Sequence, residues 1–120
     1  MREHYIHSDL IRGNIDTIIL GIILREDNYG YSIIKEIFRK SGETFELKEP
    51  TLYSSLRRLE SQRLVESYWG EQTQGGRRKY YRITESGREV YIQNLQNWEA
   101  ARNLIDRLIV SDNKGKEDLS

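Results

Sequence analysis

A mainly α-helical chain with one small β-hairpin and a long final helix is what this sequence predicts. Apolar residues recur at helical spacing in four stretches. Between the third and the fourth, two short alternating runs flank a polar, glycine-rich loop. The single proline, Pro50, stands at the head of the third helical stretch, where its ring and its missing N–H cost nothing. At 120 residues and 37% hydrophobic content, the chain supports one compact domain with a long terminal helix and not two full domains. With so little apolar material the core is small, and a helix whose apolar stripe is left over needs a second chain to cover it.

Leu10, Ile11, Ile15, Ile18, Ile19, Ile22 and Ile23 predict a first helix over 9–25, with Ser8 or Asp9 as its N-cap. The segment Asp27-Asn28-Tyr29-Gly30 reads as a turn. A shorter helix carrying Ile33, Ile34, Ile37 and Phe38 follows and runs out near Ser41-Gly42, where Gly42 suits a left-handed C-terminal cap. After Pro50, Leu52, Leu56 and Leu59 face inward at i, i+4 and i+7, flanked by Tyr53. The runs from Leu64 to Trp69 and from Arg77 to Ile83 predict the hairpin, its loop being Gly70 to Gly76. Tyr68 and Trp69 are expected to pack beneath the third helix. Thr84 or Ser86 caps the last helix, with Glu89 three residues after Ser86 offering a capping box. Its stripe runs through Val90, Tyr91, Leu95, Trp98, Arg102, Ile105, Leu108 and Ile109. The expected division is 1–84 for the first unit, 85–110 for the terminal helix, and 111–120 for a disordered tail without periodicity.

Several function classes find no support. There is no cysteine, hence no disulfide framework, thiolate metal site or cysteine nucleophile. The run Ile15 to Leu24 is too short to span a bilayer and contains Asp16. Glu3 and Asp9 interrupt the basic start, and no small-residue cleavage site follows, so a cytoplasmic protein without a signal peptide is expected. His4 and His7 stand at i, i+3 with no third histidine, which gives no basis for a metal site. Neither a phosphate-cradling loop nor a nucleophile–base pair nor a paired-carboxylate motif is visible, so no enzyme and no cofactor are expected.

Net charge is zero, yet the charges are segregated. Residues 1–49 carry seven basic and nine acidic side chains, 50–82 seven and three, and 83–120 five and seven. A basic middle between acidic ends is what a local polyanion-binding surface needs; chance clustering on solvated faces is the plainer reading. Three helices followed by a two-stranded hairpin form the winged helix-turn-helix arrangement, and here the third helix and the hairpin are the basic parts. In such proteins the third helix enters the major groove and the hairpin reaches the neighbouring backbone or minor groove.

Tyr29-Gly30-Tyr31-Ser32-Ile33, Pro50-Thr51-Leu52-Tyr53-Ser54-Ser55-Leu56-Arg57-Arg58-Leu59-Glu60 and Gly76-Arg77-Arg78-Lys79-Tyr80-Tyr81-Arg82-Ile83-Thr84 together resemble the PadR family of bacterial transcriptional regulators. The resemblance covers about residues 9–109. Many members have Gly before Thr-Leu-Tyr and Pro after it; here Pro50 precedes and Ser54 follows, so no operator sequence is carried over. The resemblance implies a homodimeric repressor of double-stranded operator DNA, dimerised through one C-terminal helix. Some small members hold a flat aromatic ligand between tryptophans of that helix, and Trp98 stands at the corresponding place. A small hydrophobic or aromatic effector is implied on that ground.

Thr51, Tyr53, Ser54, Arg57 and Arg58 are the recognition-helix residues expected nearest DNA, since arginine forks guanine or grips phosphate and hydroxyls serve backbone oxygens or base edges. Arg58 has a rival partner in Glu60 or another acid nearby. Arg77, Arg78 and Lys79 are expected to contact DNA from the hairpin, with Arg78 on the opposite face from the other two; an edge strand guarded against aggregation is the structural alternative. Tyr91, Leu95, Trp98, Arg102, Ile105, Leu108 and Ile109 are expected at the dimer interface. Packing alone would account for Trp98 as well. A winged-helix protein-interaction module without DNA binding is the alternative function.

Overall fold

The structure is a computed structural model that describes residues 8–110. Helix α1 spans Ser8–Arg12 and α2 Ile15–Arg25; β1 is Asn28–Tyr29, α3 Gly30–Lys40 and α4 Glu49–Ser61. Strands β2 (Val65–Trp69) and β3 (Lys79–Ile83) lead into α5, Glu85–Ile105, which continues as a π-helical turn over Asp106–Val110. A mainly helical fold with a small sheet is therefore what forms. The side chains of Ser8 and Asp9, the pair His4 and His7, and the tail 111–120 lie outside the described residues.

Two boundaries differ from the sequence reading, and of the two caps offered for the last helix one forms. The expected first helix is two, divided at Gly13-Asn14, two weak helix formers; the Asn14 N–H closes a turn onto the Ile11 carbonyl at 2.8 Å. The expected turn at Asp27–Gly30 contains β1, whose Asn28 and Tyr29 pair with Tyr81 and Tyr80. The sheet thus has three antiparallel strands in the order β1-β3-β2. A two-residue strand is too short to leave an alternation in the sequence. The cap of α5 is Thr84, whose Oγ1 accepts the Gly87 N–H at 3.0 Å and donates to the Arg63 carbonyl at 2.8 Å.

The core is the meeting of α2, α3 and α4 with one face of the sheet. Ile19, Leu20 and Ile23 from α2, Ile33 from α3, and Leu52, Leu56 and Leu59 from α4 are buried together with Val65, Tyr81 and Ile83. Helix α3 ends as its glycine promised: Gly42 takes φ +68°, its N–H bonds the Arg39 carbonyl, and the Glu43 N–H bonds Phe38. Helix α4 closes in the same way with Arg63 at φ +62° in the glycine position.

Candidate nucleic-acid interface

Helix α4 keeps one face for the core and one for solvent. Leu52, Ser55, Leu56 and Leu59 are buried, while Thr51, Tyr53, Ser54, Arg57 and Arg58 are exposed. Among the described residues Arg57 pairs with no carboxylate, its Nη2 lying 3.4 Å from the Ser54 hydroxyl. Arg58 is engaged instead. Its Nε and Nη2 donate to the two carboxylate oxygens of Asp16 in α2, at 2.8 and 2.7 Å, and the Ser55 hydroxyl donates to the same group. Partial burial raises the Asp16 carboxyl, and the bonds from Arg58 and Ser55 outweigh it, leaving Asp16 below its ordinary value. Glu60, the other acid considered for Arg58, accepts from Ser67 of β2 at 2.7 Å.

The hairpin sorts its side chains by strand parity. Ser67 and Tyr81 are directly paired, as are Trp69 and Lys79, and these lie on the face toward α4. Arg77 stacks over Trp69 at 5.9 Å and Lys79 reaches over Tyr81 at 5.9 Å. On the opposite face Tyr68, Tyr80 and Tyr29 form a row across the three strands, with Tyr68 stacked on Tyr80 at 5.7 Å and Tyr29 edge-on at 5.3 Å. Arg78 and Arg82 cover that row, at 4.5 Å from Tyr29 and 4.9 Å from Tyr68. Trp69, expected beneath α4, is 56% exposed; it is the last residue of β2, at the loop end of the hairpin. Tyr68 is also not beneath α4. It lies on the far face, where its hydroxyl donates to Asp27 and its ionisation is pushed up by that bond.

Between α4 and the hairpin lies a notch of about 330 Å³. Tyr53 of α4, Gly30 and Tyr31 of α3, Tyr29 of β1, Tyr81 and the three cations Arg77, Arg78 and Lys79 line it. Tyr81 is held neutral, its hydroxyl raised first by burial and then by Glu60. The sequence reading had Tyr53 and the three cations, but not Tyr29, Gly30 or Tyr31, which arrive through β1 and the start of α3. It also missed Asp16 and Ser55. The available signal was a lone acid inside an apolar helical run.

Helix α5 is anchored at its root and, among the described residues, largely exposed beyond. Tyr91 packs on Gly21 of α2, where a β-carbon would sit 3.0 Å from its Cε1, and Asn94 Nδ2 donates to Thr17 at 3.0 Å. Tyr91 is thus already half-buried within its own chain, whereas Leu95, Trp98, Ile105, Leu108 and Ile109 are exposed, and Arg102 stacks over Trp98 at 4.9 Å. Trp98, Leu95 and Tyr91 line a mostly apolar groove of about 780 Å³ with Leu10, Ile11 and Ile18.

A helix-turn-helix body carrying an exposed α4, with a cation-lined hairpin beside it, defines a winged-helix transcriptional regulator. The comparisons name the family: residues 19–93 match the Transcriptional regulator PadR-like family, and the chain belongs to it. It is 43% identical over 101 residues to an uncharacterised protein of Lysinibacillus sphaericus, spanning 84% of this chain and 93% of that one. A transcriptional regulator from Clostridium thermocellum superposes with TM-score 0.81 at 45% identity, covering 88% of this chain and 99% of its own. A PadR family transcription regulator from Clostridium difficile gives 0.71 at 37% identity, over 81% and 99%. Among the described residues, no helix is long and apolar enough to cross a membrane.

Proposed function

We propose that the protein is a homodimeric repressor that reads a two-fold operator, inserting α4 into the major groove and laying the hairpin on the adjacent backbone. The observation that carries this reading is the notch, where Tyr53 of the third core helix and the cations Arg77 and Lys79 of the hairpin adjoin one surface. In this reading Ser54 and Arg57 reach base edges, and Thr51, Tyr53 and the hairpin cations serve phosphates. The apolar stripe of α5 supports self-association: among the described residues, Leu95, Trp98, Ile105, Leu108 and Ile109 are apolar side chains left exposed in one chain. Two-fold pairing would set the recognition helices about 34–36 Å apart, one turn of DNA.

The groove beside Trp98 supports an effector role for that residue. A planar hydrophobic compound held there would alter how the two α5 helices meet, and a coupling of about 1–3 kcal/mol would change operator affinity roughly 5–150-fold. Quenching of tryptophan fluorescence by planar dyes that vanishes in Trp98→Ala supports this role; quenching that survives assigns the effect to Trp69. Selection of bound fragments from random duplex DNA tests the whole proposal. A two-fold consensus is expected. Recovery of no enriched sequence would favour a protein-interaction module.

A further inference from the structure

We infer that Asp16 is an affinity-setting residue that acts through Arg58, cancelling one cation of α4 and so lowering affinity for duplex of any sequence. The inference rests on the DNA-binding reading above. Asp16 takes Arg58 on the Nε–Nη2 edge, with both bonds at 2.7–2.8 Å, and that edge is one of the forks an arginine offers to a phosphate. Ser55, fully buried, donates a third bond to the same carboxylate and keeps it from turning away. The pair is open to solvent all the same, with the Arg58 side chain 51% and the Asp16 side chain 30% exposed. Its electrostatic influence therefore reaches whatever occupies the α4 surface.

Sequence-independent binding to DNA comes from phosphate neutralisation and the counterions it releases. An arginine already neutralised by a fixed carboxylate adds no net charge to that sum. Arg57, one residue earlier and held among the described residues only by a long contact to Ser54, remains available. Helix α4 therefore presents Arg57 as an uncompensated charge and Arg58 as half of a neutral pair. The consequence falls on affinity for every duplex alike. Contacts to base edges made by Ser54 and Arg57 are untouched, so the order of preference among sequences is unchanged.

The test is the slope of log affinity against log salt on a random duplex, for wild type, Asp16→Asn and Asp16→Asn/Arg58→Gln. Asparagine keeps an acceptor for Ser55, and thermal melting of each variant checks the fold. Asp16→Asn is expected to steepen the slope by about 0.9 and to gain about threefold or more in affinity near 50 mM salt, a gain that shrinks toward 200 mM. The double variant, which removes a neutral pair, is expected to match the wild-type slope. An unchanged slope in Asp16→Asn, or a double variant flatter than wild type by about 0.9, overturns the inference. If the single variant is too unstable to assay, Arg58→Gln takes its place beside the double variant: it leaves Asp16 uncompensated, a flatter slope than wild type is expected, and an unchanged slope overturns the inference. Absence of any wild-type binding at low salt overturns the DNA-binding reading and this inference together.

Discussion

Tyr53 and Gly30 touch where only a hydrogen fits: a β-carbon on Gly30 would come 2.2 Å from the Tyr53 hydroxyl and 2.8 Å from its Cζ. The first residue of α3 is thereby a seat for a side chain of α4, and the tyrosine wall of the notch depends on it. Because the obstacle is the end of a side chain, Gly30→Ala is expected to displace Tyr53 rather than the helices. A stability loss of about 1–3 kcal/mol should accompany the repacking, with duplex binding weakened about tenfold, or about 1.4 kcal/mol. Paired denaturant and duplex titrations check this; unchanged DNA affinity would show that Tyr53 has no part in binding.

Gly87 meets backbone rather than side chain. A β-carbon there would overlap the Leu64 carbonyl oxygen and come 2.7 Å from Ile83 Cγ1. Gly87→Ala must push α5 off the end of β2, and a loss of about 3 kcal/mol is expected, the upper range for overpacking. Urea unfolding of both proteins measures it.

Acid titrates the link between α2 and α4. Asp16 has a lower pKa in the folded chain than its ordinary 3.8, so the folded state binds fewer protons there than the unfolded state. Its contribution is full above the unfolded value and is lost as pH falls through the folded one. Stability is therefore expected to decline below about pH 4, and Asp16→Asn should show a shallower decline. The remaining acid sensitivity belongs to other carboxylates, among them Glu36, held down by its hydrogen bond from Arg39. Identical acid limbs for the two proteins would remove Asp16 from the account.

Arg77 and Arg57 are expected to fail differently. Arg77→Ala should weaken binding to all duplexes and flatten the salt slope by about 0.9, the loss of one phosphate contact. Arg57→Ala should cost about 1–3 kcal/mol on the selected sequence and less on random DNA. Equal losses on both duplexes would make Arg57 a backbone contact.

The order of elements was legible because each carries its own signal. Pro50 opened α4, Gly42 closed α3, and the parity of Arg77, Arg78 and Lys79 sorted them between two faces. What escaped the sequence were long-range pairings. Asn28-Tyr29 becomes a strand only because β3 lies beside it, and Asp16 finds Arg58 across 42 residues. Trp69 looked like packing because large aromatics are highly buried on average; as the last residue of β2, at the loop end of the hairpin, it is left in solvent. Tyr91 belonged to the apolar stripe by spacing, yet the bare backbone at Gly21 draws its ring inward.

The most direct measurement is titration of a labelled random duplex with the intact chain at low and rising salt, with the stoichiometry of the complex read from its sedimentation. Two chains per duplex and a log-affinity slope steeper than that of the Arg77→Ala, Lys79→Ala variant are predicted. A monomer on DNA, or a slope unaltered when both hairpin cations are removed, would contradict the account.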